Sequence, residues 1–263
     1  MFVDTLIAIF FFLIGVEIKN SLRTIHDAIV PIFAALDGMI FPAIIFLLLN
    51  PGSNLWATAM PTDIALALGV LLLLGKRVNV NVRLFLLTLA VADDFFSLIV
   101  MAIFYGDQMH PERALSTLGA AALGLMLPLS KRQLNLVIKV LTPITTYFIL
   151  PVIILVNIPF GISWDSFGSK VTLALVLSRF VGKIVGIVLF SRIALRFGAQ
   201  TELTLKSISG IGALAGIGMT VSLVIAEISA TNQAELNEIR VGLFISALLS
   251  GVVGYIWLKR TPV

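Results

Sequence analysis

Long apolar runs separated by short basic clusters constrain this chain more than any other feature. A helix needs roughly 20 apolar residues to cross a hydrocarbon layer about 30 Å thick. Read on that scale, the sequence holds about nine candidate spans, near 2–18, 27–49, 57–75, 84–105, 114–129, 141–158, 171–191, 207–228 and 240–258. The fifth is short and ends in Leu127-Pro128-Leu129, so it is expected to be tilted or half buried. The first lacks the leading positive charge of a signal peptide: Asp4 precedes its apolar core, and Glu17 and Lys19 follow. It is expected to be a retained span. Composition agrees, with 59% of the 263 residues apolar and 12% charged and a mean hydropathy of +1.08. A soluble domain is about half apolar and about a quarter charged. An ordinary cytosolic enzyme, a disordered chain and a secreted disulfide scaffold are thereby excluded.

Without cysteine there is no disulfide, thiolate metal site or iron–sulfur cluster. The two histidines, His26 and His110, stand too far apart in sequence to suggest a metal motif. The net charge of +4 is spread over the loops, not gathered on one face, so no nucleic-acid partner is implied. One set of loops, with the carboxyl-terminal tail, holds thirteen Lys and Arg residues, whereas the alternate set holds only Arg113, Lys170 and Arg240. Lys and Arg accumulate on the cytoplasmic side. The expected orientation therefore has the amino terminus outside and the carboxyl terminus in the cytoplasm.

Six ionisable residues fall well inside the predicted spans: Asp37, Asp63, Asp93, Asp94, Arg179 and Lys183. A charge near the bilayer centre costs several kcal/mol, so each is a functional candidate, with a buried pair that fixes helix packing as the plainer alternative. The Asp93-Asp94 pair lies nine or ten residues into the fourth span, about 14 Å from its end at 1.5 Å per residue. Two adjacent carboxylates in low dielectric cannot both stay ionised cheaply. Such a site suits a proton or a small hard cation, and competition between the two is the minimal chemistry of an exchanger. Lys183, mid-span in SRFVGKIVGIVLF, needs a carboxylate, and Asp93 and Asp94 lie at matching depth. Arg179, one turn earlier, needs its own anion, for which Asp37 is the candidate. In WATAMPTDIALALGVLLLL, Pro61 followed by Thr62 and Asp63 predicts a broken span that restarts as a half-helix with Asp63 at its positive end. The eighth span has a matching weakness where Gly210, Gly212, Gly216 and Gly218 crowd before Thr220. Gly212 and Gly216 also satisfy GxxxG, so close helix packing is the alternative reading. The chain thus reads as one transmembrane transporter domain over 1–263, with 27–105 and 171–258 as inverted repeats whose broken helices cross near the midplane.

At these residues the chain resembles the NhaA-type Na+/H+ antiporters. The resemblance rests on FFLIGVEIK at 11–19, GMIFPA at 38–43 and PTDIALALGVLLLLGKRV at 61–78. It continues through LAVADD at 89–94, VGKIVGI at 181–187, GIGMTVSLVIA at 216–226 and GYIWLK at 254–259. It implies an all-α polytopic fold in a bacterial inner membrane, with Asp94 binding Na+ or Li+ in exchange for protons. Asp93 is implied to pair with Lys183 in proton coupling, and Asp63, beside Thr62, to offset the positive half-helix ends. Glu17 and Lys19 fall where the family places a pH-sensing cluster. No organic cofactor or structural metal is implied; the partners are the bilayer, Na+ or Li+, and protons.

The departures are specific. The chain starts at the family's second span, two spans are missing after Phe104-Tyr105, and the early hairpin through which family members dimerise has no counterpart, so a homodimer is possible only by other contacts. Asp37 replaces a usual glycine, Phe95-Phe96 a smaller pair, and Arg179 is unusual. The expected function is secondary Na+/H+ antiport by alternating access, serving sodium and pH homeostasis. No Walker motif accompanies it to suggest ATP-driven pumping. The alternative is a non-transporting scaffold or partner subunit that kept an antiporter core.

Overall fold

The computed structural model describes residues 2–21, 29–75, 79–106, 119–149, 151–152, 155 and 164–261, and every regular element among them is helical. The first half comprises α1 (Phe2–Ser21), α2 (Ile29–Leu49), a single 3-10 turn at Trp56–Ala59, α3 (Ile64–Leu72) and α4 (Val80–Tyr105). After these come α5 (Ala120–Met126) and α6 (Lys131–Ile144), which continues into a π turn at Thr145–Ile149. The second half comprises α7 (Lys170–Arg196), α8 (Leu205–Ala215), α9 (Thr220–Ser229) and α10 (Gln233–Arg260).

Starts and stops follow local chemistry. Asn79, Ser169, Thr204 and Asn232 cap α4, α7, α8 and α10 by accepting a backbone N–H with their side chains. Gly75 and Gly198, at φ of +63° and +94°, turn the chain after α3 and α7 in a conformation that suits glycine. α6 begins ten residues before the predicted sixth span, because Ser130 and Gln133 close a capping box ahead of the basic segment. That segment is an amphipathic helix that buries Leu134, with its basic residues on the outside, rather than the loop its charges suggested. Most of the predicted end of the sixth span, 150–158, lies outside the described residues, as do His26 and His110.

Among the described residues α2, α4, α7 and α10 are each long and apolar enough to cross a membrane unbroken. α8 and α9 together make a fifth, bent by 48° at the residues between them. The other predicted spans hold α1, the interrupted pair of the 3-10 turn and α3, the seven-residue α5, and α6 with its π turn. The outside is as apolar as the core, and several charged or polar groups are inside. Leu48, Ile103, Met126 and Leu248 lie on the outside, whereas Thr58, Asp93, Arg179 and Lys183 are wholly buried. In water that surface would be a large exposed apolar patch; in lipid it is the matching solvent. The chain is a multi-pass, all-α membrane protein.

Two close approaches fix the frame. α2 and α7 meet at Gly182, whose missing Cβ would come within 2.9 Å of Pro42, and at Gly186, where it would come within 2.7 Å of the Asp37 carbonyl. α1 and α5 meet at Gly15 and Gly124, where a Cβ would collide with the carbonyls of Ala121 and Phe12. Small residues four or so apart let helix backbones touch, which is how apolar helices associate where no hydrophobic force draws them together.

Candidate functional site

The two broken helices meet at their breaks. Asp63 donates its backbone N–H to the Ile217 carbonyl at 2.7 Å, and Thr62 donates its hydroxyl to the Ala215 carbonyl at 2.8 Å. Asp63 caps α3 by accepting from the Leu66 N–H at 3.2 Å. Its other oxygen accepts from the Thr220 hydroxyl at 2.6 Å, at the first residue of α9. One carboxylate therefore serves two helix N-termini, where partial positive charge gathers. The restart predicted from Pro61, Thr62 and Asp63 is present as expected.

The opposite helix ends face Arg179. Its guanidinium donates to the Thr58 carbonyl at 2.7 Å, the Pro61 carbonyl at 2.5 Å, the Gly216 carbonyl at 3.3 Å and the Ser222 hydroxyl at 2.9 Å. These carbonyls terminate the 3-10 turn and α8, where partial negative charge gathers. The two charges thus neutralise complementary ends of the crossing. Gly218 makes room, since a Cβ there would collide with both the guanidinium and the Pro61 carbonyl. Gly216 is excluded from carrying a side chain by the Ser250 hydroxyl, and Gly212 packs on the α7 backbone at Ile184. The glycine cluster therefore serves both the break and close packing.

The expected pairing of Arg179 with Asp37 is not formed. Arg179 is held by the carbonyls, and Asp37 packs opposite Gly186, seven residues further along α7, about 10 Å away at the helical rise. Asp37 is buried with its Oδ2 unpartnered. No sequence rule pointed to carbonyl ends as the anion for Arg179, because the breaks lie on other spans and meet it only in the fold. The π turn at Ser178–Gly182, which carries Arg179 and ends against Lys183, was also not legible. Such turns recur at functional sites.

Lys183 takes the other direction. Its ammonium donates to Asp93 Oδ2 at 2.8 Å and to the Thr62 hydroxyl at 3.0 Å, linking α7, α4 and the crossing. Of the two expected carboxylates, Asp93 is the partner. Asp94, next along α4 and 2% exposed, makes no ion pair with it. Oδ1 of Asp93 and Oδ1 of Asp94 are buried without hydrogen-bond partners. A buried carboxylate oxygen left open is costly, and it has the free lone pairs that a proton or a cation needs.

Glu17 and Lys19 lie apart from this centre, at the end of α1. Glu17 accepts from the Thr142 hydroxyl of α6 at 3.5 Å, and Lys19 donates to the Leu127 carbonyl that ends α5. Phe95 and Phe96 pack half-buried against the core formed with α1, their ring centroids 5.5 Å apart. A cavity of about 660 Å³ opens where α2 and α4 begin, lined by Val30, Asn81, Phe85, Thr88 and the 198–203 turn. Thr88 lies six residues before Asp94, about 9 Å along α4.

The sequence profile of the family described as Na+/H+ antiporter 1 matches residues 1–135 and 114–258. The Na+/H+ antiporter NhaA of Salmonella arizonae is 32% identical over 317 aligned residues, covering 97% of this chain and 82% of that protein. The NhaA proteins of Citrobacter koseri and Shigella dysenteriae are 31% and 30% identical over the same shares. The alignment to the Salmonella protein, at 317 residues, is longer than this 263-residue chain. That relative therefore carries aligned positions without counterpart here. The two profile matches overlap at 114–135, just beyond Phe104-Tyr105, after which the family resemblance implies that a pair of spans is absent.

Proposed function

This chain belongs to the NhaA family of Na+/H+ antiporters, and from that premise we propose that it exchanges Na+ or Li+ for protons at Asp94 by alternating access. The carrying observation is the pair of unpartnered carboxylate oxygens on Asp93 and Asp94, buried beside a lysine that holds only one of them. A proton and a small hard cation compete for Asp94. Cation arrival displaces the proton, and reprotonation on the other side expels the cation. Lys183 shields Asp93 while Asp94 is charged, and its link to Thr62 ties the state of that pair to the crossing. The crossing is where 27–105 and 171–258, taken as inverted repeats, move against each other.

The cavity at the starts of α2 and α4 is the cytoplasmic approach in the orientation given by the loop charges, with the amino terminus outside and the protein in the bacterial inner membrane. Sodium export driven by an inward proton gradient follows, with a role in sodium and pH homeostasis. The work is transport rather than covalent catalysis and uses no organic cofactor. Glu17 and Lys19 serve the regulation of that transport by pH.

Proteoliposomes containing only this chain test the reading. With an acid-inside gradient, external Na+ or Li+ should collapse the gradient in the wild type and leave it intact in Asp94→Asn. Well-folded wild type that shows no cation-dependent flux would contradict the reading and favour a scaffold that kept the antiporter core.

A further inference from the structure

The exchange chemistry above leaves one buried group on α4 unused. Ser97 follows Asp94 by three residues and Asp93 by four, so it stands on the same helix face, one turn along. It is 1% exposed, and its hydroxyl has no hydrogen-bond partner. Buried helical serines usually satisfy themselves on a carbonyl of the preceding turn. Ser178, Ser229 and Ser246 do so here, on the carbonyls of Leu175, Ile225 and Leu243. Ser191 and Ser250 are also unpartnered, but neither has an acidic residue within a turn of it on its own helix. Among the described residues, only on α4 does an open hydroxyl stand with two open carboxylate oxygens, those of Asp93 and Asp94, inside one helical turn.

Small hard cations take oxygen ligands and need several of them. Among the described residues no group of three or more His, Cys, Asp or Glu side chains could hold a metal ion. A cation at Asp94 must therefore complete its shell with neutral oxygens. We infer that the Ser97 hydroxyl is a ligand of the transported cation, binding it together with Asp94. This rests on the antiporter reading and adds to it a residue that sets cation affinity. The hydroxyl supplies a neutral oxygen with two lone pairs. It binds the ion without adding a third negative charge to a site that already holds two carboxylates and a lysine.

Three variants in proteoliposomes test it through the cation concentration that gives half-maximal proton flux. Ser97→Ala removes a single oxygen and suits a helix, so the fold should stand. Its half-saturating Na+ and Li+ concentrations should rise by about three- to tenfold, the effect of losing one modest polar contact, with maximal flux little changed. Ser97→Cys keeps the shape, with a slightly larger atom, but replaces a hard oxygen with soft sulfur, and should match the alanine variant. Ser97→Thr keeps the oxygen and should stay near the wild type. A merely structural serine would change thermal stability in the alanine variant and leave cation affinity unmoved. Unchanged half-saturation in Ser97→Ala, with wild-type flux intact, would overturn this inference alone. Absence of cation-dependent flux in the wild type would overturn it together with the reading beneath it.

Discussion

The helix crossing and the α4 carboxylates both bury charge where charge is expensive, but they treat it in opposite ways. At the crossing, Asp63 accepts from the Leu66 N–H and the Thr220 hydroxyl, and Arg179 makes four hydrogen bonds, three of them to helix-end carbonyls. On α4, Asp93 shares one oxygen with Lys183 and leaves the other open, and Asp94 Oδ1 is open as well. A charge whose hydrogen bonds are made fastens backbone that would otherwise be unsatisfied in lipid. A carboxylate oxygen left open has capacity to spare for something that arrives and departs. On the proposed reading, the difference separates the charges that build the site from those that exchange at it.

The sharpest way to break that distinction is Asp94→Asn. Cation-dependent proton flux should fall to background while thermal unfolding in detergent stays near the wild type. Next comes the Asp93–Lys183 pair. Removing either partner alone leaves a buried charge unanswered and should destabilise by about 3–5 kcal/mol, whereas Asp93→Asn with Lys183→Met should recover much of that loss. A double-mutant cycle by chemical or thermal unfolding reads the coupling directly.

Arg179→Leu should act on stability first. It strips donors from three carbonyls and a hydroxyl, at up to about 1–3 kcal/mol for each group left unsatisfied. Arg179→Lys should recover part of that, because an ammonium reaches fewer of the acceptors than the guanidinium fork. Gly218→Ala should cost about 1–3 kcal/mol by pushing a methyl against Arg179 and the Pro61 carbonyl. The smallest effect belongs to Asp63→Asn, which keeps the cap but loses the charge between two helix N-termini. A loss near 1 kcal/mol and reduced, not abolished, flux is expected. Normal flux in Asp94→Asn beside total loss of flux in a folded Asp63→Asn would reverse the comparison.

Much of this was legible because charge inside an apolar run stands out. Asp93, Asp94, Lys183 and Asp63 declared themselves by cost, and Pro61 with Thr62 marked the break. Depth alone left Asp93 and Asp94 equal as partners of Lys183, since adjacent residues share it; the family resemblance singled out Asp93, and the ion pair agrees. The partner of Arg179 was misjudged for a clear reason. Sequence displays side-chain anions such as Asp37, but not the backbone carbonyls that a broken helix exposes. The α6 start was missed because Lys131 and Arg132 read as loop charge, whereas a capping box and one apolar face suffice to make a helix. Gly182 and Gly186 also form a GxxxG on α7, and their role became visible only with α2 lying against them.

The central claim is that one carboxylate, Asp94, serves proton and cation by turns. Purified protein in weakly buffered detergent, with a pH indicator present, tests it without any gradient or membrane. Adding Na+ or Li+ should release protons from the wild type and from Asp63→Asn, and none from Asp94→Asn. Proton release that persists in Asp94→Asn would contradict the account, because the exchanging site would then lie elsewhere.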